Sequence, residues 1–164
     1  VSTFVPKPFT PFQFEPQIGL EEIRRRQELL KNAIKTKKIT LSYHDSSTSF
    51  LEGAFARGDR RMGAVIETAY KMGCTFDSWT ECFDPEKWYK AFETCGLTPE
   101  FYANRTREYG EITPWEHIDV GVTKDFLIKE NQTAHENKTT PNCREKCSNC
   151  GAMCYGEGVC FEKR

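Results

Sequence analysis

Long apolar runs are missing from this 164-residue chain, and none approaches the 18 residues that a membrane-crossing helix needs. An excess of charge is missing too. Lys and Arg total 23 against 24 Asp and Glu, a net charge of -1, so no general basic surface for nucleic acid is indicated and only local patches remain. There is no phosphate-binding glycine loop, no H-E-x-x-H helix and no Ser-His-Asp arrangement in local motifs, which removes three common routes to chemistry. Internal repeats and low-complexity linkers are also lacking. The opening residues, VSTFVPKPF, hold no basic n-region, no apolar h-region and no small-residue cleavage site. We read the start at Val1 as a cut inside a longer protein, with a processed mature end as the alternative.

What the chain does have is sulfur. Of eight cysteines, five fall in the last 22 residues, in CREKCSNCGAMCYGEGVC, with gaps of three, two, three and five. Thiols this dense are oxidised in pairs, hold a metal, or stand free and reactive. Asn, Ser and Gly separate them and offer almost nothing for a core, so the sulfurs must fix this tail. We take Cys143, Cys147, Cys150 and Cys154 as metal ligands, with Cys160 as an alternative fourth. C-x3-C-x2-C is the spacing with which radical S-adenosylmethionine (SAM) enzymes hold a [4Fe-4S] cluster through three thiolates. A fourth cysteine closes the site, which suits an electron-transfer cluster or structural zinc. Only ten residues follow Cys154, whereas a SAM-cluster loop precedes many βα units. The tail is therefore read as an auxiliary iron–sulfur site, with zinc second and disulfides or free thiols third.

Two compartments compete. An even cysteine count and Asn-x-Thr sequons at Asn104, Asn131 and Asn137 fit a secreted, disulfide-stapled protein. Against this, Cys74, Cys82 and Cys95 sit singly in ordinary-looking segments, and a chain this long buries a core without staples. The reading is cytoplasmic.

Along the chain, residues 1–5 alternate as a short strand before the proline-rich loop KPFTPFQFEPQ, and KITLSY at 38–43 alternates as a second. Between them, Leu20, Ile23, Leu30 and Ile34 keep helical spacing, with Glu21 and Glu22 at the positive end. Arg24, Arg25 and Arg26 read as a solvated face. Ser49 and Glu52 have capping-box spacing. Asp59 then caps a helix with the apolar stripe Met62, Val65, Ile66, Ala69 and Tyr70, which Gly73 ends. Asp84-Pro85, Thr98-Pro99 and Thr113-Pro114 each announce a helix by an N-cap followed by proline, and Thr123 opens the last. The predicted helical core holds Ile23, Leu30, Met62, Val65, Ile66, Trp88 and Phe92.

Other constellations carry bland readings. Arg57-Gly58-Asp59 is a helix C-cap and N-cap before it is an adhesion tripeptide. Arg57, Arg60 and Arg61 pair with carboxylates such as Glu52 before they bind phosphate. His44-Asp45 and His117 with Asp119 are acid–base candidates whose ordinary use is a structural hydrogen bond.

VSTFVPKPFTPFQ resembles the last strand and following loop of a radical SAM barrel. SFLEGAFARGDRRMGAVIETAYKMGCTFDSW, FDPEKWYKAFETCGLTPEFYANR, TPWEHIDVGVTKDFLIKE and the closing cysteines resemble, in order, the C-terminal region of bacterial cobalamin-binding-type radical SAM proteins. The resemblance implies an α+β, mostly helical fragment. Residues 1–45 would be the end of a partial radical SAM (β/α) barrel, 46–138 a helical lobe and 139–164 a Cys-rich metal-binding tail. It also implies an upstream radical SAM core of the same protein as partner, with SAM and cobalamin bound there. Neither that core's cobalamin-type domain nor its SAM-cluster loop lies in these residues, so this piece alone is not expected to be catalytic. The alternatives are a non-enzymatic module with a zinc-stapled tail and a secreted disulfide-rich protein.

Overall fold

The computed structural model describes residues 1–156. The chain is 45% helix, and no strand occurs among the described residues. This overturns the α+β expectation: no terminal strand of a (β/α) barrel is present. Residues 1–5 and 38–43 alternate as strands do, but alternation records only which faces could be buried, and a strand also needs a partner ladder. Here the Val1 ammonium donates to the Ser42 carbonyl at 2.7 Å, while Val1, Phe4, Ile39 and Tyr43 stay exposed. The helices divide between two compact units, Val1–Pro6 with Pro16–Thr106, and Lys7–Glu15 with the chain from Arg107 onward.

The first unit holds α1 (Leu20–Ala33), α2 (Ser46–Ala56), α3 (Met62–Lys71), α4 (Pro85–Thr94) and α5 (Pro99–Ala103). α2 is central and packs on α1 and α5, while α3 packs on α4. It starts earlier than the Ser49–Glu52 spacing suggests, because Asp45 is the N-cap and its Oδ1 accepts the Thr48 N–H at 2.8 Å. The Asp84 and Thr98 proline starts form as read, and Asp84 accepts the Glu86 and Lys87 amides. The core comprises Ile23, Phe50, Leu51, Ala54, Met62, Val65, Ala69, Ala91, Phe92 and Tyr102. Three expected members fall short: Ile66 is 49% exposed, Leu30 is half-buried, and Trp88 is half-buried and packs against the core from its edge. α3 turns Val65 and Ala69 inward, which leaves Ile66 and Tyr70 on its outer edge.

Buried polar groups tie this unit together. Gln17 runs between α2 and α5, with its N–H on the Ala103 carbonyl at 2.8 Å and its Nε2 on the Ser49 carbonyl at 2.9 Å. Gly53 leaves the space that the Gln17 carboxamide fills. Arg57 is fully buried, and its two Nη atoms donate to the carbonyls of Ala103 and Arg105 at 3.0 and 2.9 Å. That satisfies acceptors at the negative end of α5.

The second unit is built on α6 (Lys124–His135) against the 3-10 turn Pro11–Phe14. The proline-rich loop thus supplies a turn that α6 packs on. Phe14 is buried, stands edge-on to Tyr109 at 4.9 Å, and its carbonyl accepts the Arg107 N–H at 2.9 Å. The Trp115 indole donates to Gln13 Oε1 at 2.8 Å, and the Arg107 guanidinium lies 5.2 Å from the Trp115 ring centre. Thr113-Pro114 opens only a turn. Glu116 accepts the Thr113 N–H, as a capping box requires, but the turn ends at Ile118, whose N–H reaches the Trp115 carbonyl.

Candidate metal-binding tail

The tail grows out of α6. The helix ends at His135, and Asn137 follows in the left-handed region. Thr140 Oγ1 then donates to Glu130 Oε1 at 2.6 Å. Cys143 sits in a turn organised by Asn142, whose side chain accepts the Arg144 N–H at 2.9 Å and whose carbonyl accepts the Glu145 and Lys146 amides. Cys147 to Gly151 forms the next turn. The Asn149 N–H donates to Cys147 Sγ at 3.5 Å, with Asn149 at φ 57° and Gly151 at φ 100°. A short 3-10 turn, Ala152–Tyr155, follows and carries Cys154.

Backbone contacts dock this loop on the segment that leads into α6. The Thr123 N–H donates to the Cys150 carbonyl at 2.9 Å. Gly151 lies so close that an added Cβ would sit 2.7 Å from the Gly121 carbonyl oxygen, and the Tyr155 ring fills the space over Gly121. Thr123 is also the N-cap of α6, its side chain accepting the Phe126 N–H. One residue thus starts the helix and holds the cysteine loop.

The ligand set named from the sequence is not gathered into one site among the described residues. Cys143, Cys147 and Cys154 are exposed, Cys150 is half-buried, and none of the four is in a disulfide. Cys160 lies outside the described residues. Among the described residues, no three His, Cys, Asp or Glu side chains gather as a metal site. The donor chemistry nonetheless suits a thiophilic metal. Thiolates on short spacings are the ligands of zinc and of iron–sulfur clusters. No described residue from 139 onward is buried, so apolar packing does not compete to place these side chains.

The other candidates are structural. Asp45 is a helix cap, and the His44 carbonyl accepts from Gln27 Nε2. Asp119 accepts the Gly121 N–H at 2.7 Å, with His117 exposed nearby in sequence. Asp59 pairs with Arg61 at 2.6 Å, and that guanidinium holds its carboxyl below the usual aspartate range. Burial pushes the Cys74 thiol up, which makes it a poor nucleophile. Two of the three sequon amides are already engaged: Asn131 Nδ2 donates to Glu15 Oε1 at 2.9 Å, and Asn104 Nδ2 to the Gln17 carbonyl at 2.8 Å.

Two features of the second unit have no local sequence signal. A cavity of about 240 Å³ is lined by Phe9, Trp115, His117, Val122, Lys124 and Leu127, among others. At its rim Lys124 Nζ lies 2.9 Å from Glu116 Oε1, and this hydrogen bond, with the Thr113 N–H, holds the Glu116 carboxyl below the usual range. A polar chain also runs from His135 Nε2 to Glu15 Oε1 at 2.7 Å, on to the buried Asn131, and to the Tyr109 hydroxyl at 2.6 Å. Its ends lie 120 positions apart in sequence at the His135–Glu15 step. No helix among the described residues is long and apolar enough to cross a membrane. The chain matches no protein-family model, no curated protein and no solved structure.

Proposed function

We propose that this chain is the C-terminal helical lobe of a cobalamin-binding-type radical SAM enzyme, acting in the cytoplasm, with its tail holding an auxiliary iron–sulfur cluster. What carries this reading is the state of the tail. Cys143, Cys147, Cys150 and Cys154 are free of disulfides on a segment with no buried residue. Such a segment has no apolar core of its own, and metal–thiolate bonds would add the stability that burial does not supply. The order of family-like segments along the sequence supplies the enzyme class. The SAM and cobalamin sites belong to an upstream core that this lobe accompanies. The lobe's contribution is helical, and barrel-closing strands form no part of it.

A bound iron–sulfur cluster supplies one-electron transfer. The chain's own part is to present and orient the sulfurs. The Asn149 N–H reaches Cys147 Sγ at 3.5 Å and so fixes where that sulfur sits. A zinc-stapled binding module is the second reading, favoured by the same tight Cys147–Cys150 turn, since a two-residue gap between thiolates is a common zinc spacing.

Anaerobic purification, followed by metal analysis and a visible absorption spectrum, tests both. A brown protein with stoichiometric iron and sulfide supports the cluster. A colourless protein with stoichiometric zinc supports the second reading. A metal-free protein with all eight cysteines titrating as free thiols defeats both.

A further inference from the structure

Resting on the reading of the tail as a thiolate metal site, we infer that Cys147 and Cys150 form a prefolded hook that captures the metal first, and that this hook transmits metal loading to the start of α6. Two observations distinguish this pair from the other cysteines. First, the loop between them is held by its own hydrogen bonds and backbone conformation. Asn149 and Gly151 occupy left-handed conformations at φ 57° and 100°. The Asn149 N–H already reaches Cys147 Sγ at 3.5 Å. The Cys147 thiol also lies 3.7 Å from Asn149 Oδ1. That second contact needs the sulfur's proton, so metal loading gives it up while the N–H bond strengthens.

Second, the fold holds this turn without metal. The Cys150 carbonyl accepts the Thr123 N–H at 2.9 Å, and Gly151 fits against the Gly121 carbonyl only because it lacks a Cβ. Cys143, by contrast, sits in a turn whose hydrogen bonds, all to Asn142, stay within residues 142–146. It therefore has to be recruited. The order of events follows. A thiophilic ion binds Cys147 and Cys150 with loss of two protons, and Cys143 and Cys154 then close on it. The ion fixes the Cys150 carbonyl against Thr123, the N-cap of α6.

The test titrates zinc alone into the reduced full-length chain, using a competing chromophoric chelator, and repeats the titration on variants. Cys147→Ser and Cys150→Ser should lose more affinity than Cys143→Ser. Asn149→Val, which is strained at positive φ, and Gly151→Ala should each weaken binding about 10–100-fold, the range for groups that orient metal ligands. Asn149→Gly keeps the left-handed turn and should bind as the unmodified chain does. Far-UV circular dichroism checks that each variant stays helical. Two readouts are independent of affinity. With ¹¹³Cd in place of zinc, the Asn149 amide proton should show coupling to the metal through the N–H···S bond. Metal should also slow hydrogen exchange of the Thr123 amide. Equal affinity of Asn149→Val and the unmodified chain, or unchanged Thr123 exchange on loading, overturns the hook while leaving the thiolate site standing. No zinc or cadmium binding by the unmodified chain overturns the site itself.

Discussion

Gly53→Ala sets two effects of known size against each other. Gly53 lies inside α2, where replacing glycine by alanine ordinarily stabilises a helix by about 1 kcal/mol. The site is not ordinary. An added Cβ would lie 2.8 Å from Gln17 Cδ and closer still to its Oε1. Gln17 cannot simply move away. It is 1% exposed, its Nε2 is bonded to the Ser49 carbonyl, and its backbone is bonded at both N–H and C=O. Overpacking of this kind costs about 1–3 kcal/mol. Displacing the carboxamide from Ser49 costs about 1 kcal/mol more. The clash therefore outweighs the propensity gain, and Gly53→Ala should destabilise by about 1–3 kcal/mol, the sum of those terms. Urea unfolding followed by far-UV circular dichroism reads this as a lower midpoint at unchanged slope. In a Gln17→Ala background the obstacle is gone, and the same substitution should stabilise by about 0.5–1 kcal/mol. A Gly53→Ala protein as stable as the parent, or an effect of the same sign in both backgrounds, would refute the argument that Gln17 is the reason for this glycine.

Glu116 has its pKa lowered by Lys124, so its contribution to stability is full above the ordinary glutamate value of 4.5 and is lost as pH falls through the depressed folded value. The thermal midpoints of Glu116→Gln and the parent should accordingly differ at pH 7 and converge in acid, and a pH-independent gap would count against the assignment. Asn131→Leu leaves the Tyr109 hydroxyl and Glu15 short of a partner beside a buried site, and should cost about 1–3 kcal/mol in urea unfolding. A cost within the scatter of ordinary surface substitutions would show that the polar chain from His135 to Tyr109 contributes no stability.

The sequence announced what is decided locally. Asp84-Pro85 and Thr98-Pro99 begin helices because a fixed proline φ and a free amide suit a first turn, and they act within four residues. Thr113-Pro114 carries the same signal and stops after one turn, at Ile118, with Asp119 then bonding the Gly121 amide. The Ser49–Glu52 spacing sets the start of α2 four residues late because two caps compete in DSSTS, and the aspartate, the earlier of them, prevails. The two alternating segments looked like strands because periodicity is local while pairing is not. The candidate site shows the same division. Its cysteines and their spacing are plain in the sequence. The Thr123–Cys150 bond, the Gly151–Gly121 contact and the His135–Glu15 pair depend on which segments meet, and no window of sequence reports that.

Lys7–Glu15 belongs to the second unit, although the residues on either side of it belong to the first. Chain growth on the ribosome gives this a cost in time. The nine residues of Lys7–Glu15 are made about a hundred positions before the groups they serve: the Trp115 indole that Gln13 accepts from, 102 residues on, and the imidazole that Glu15 meets, 120 residues on. The first unit has all its helices before either partner exists, so the second unit can condense only after His135 has been made, over loops whose closure is slow. The same connectivity governs dissection. A protein cut at 106/107 would leave the later piece without Gln13, Phe14 and Glu15, its indole and its buried asparagine both missing their acceptors. A separable second unit therefore requires the early segment to be spliced back on, for instance by a circular permutation that places residues 7–15 after the tail.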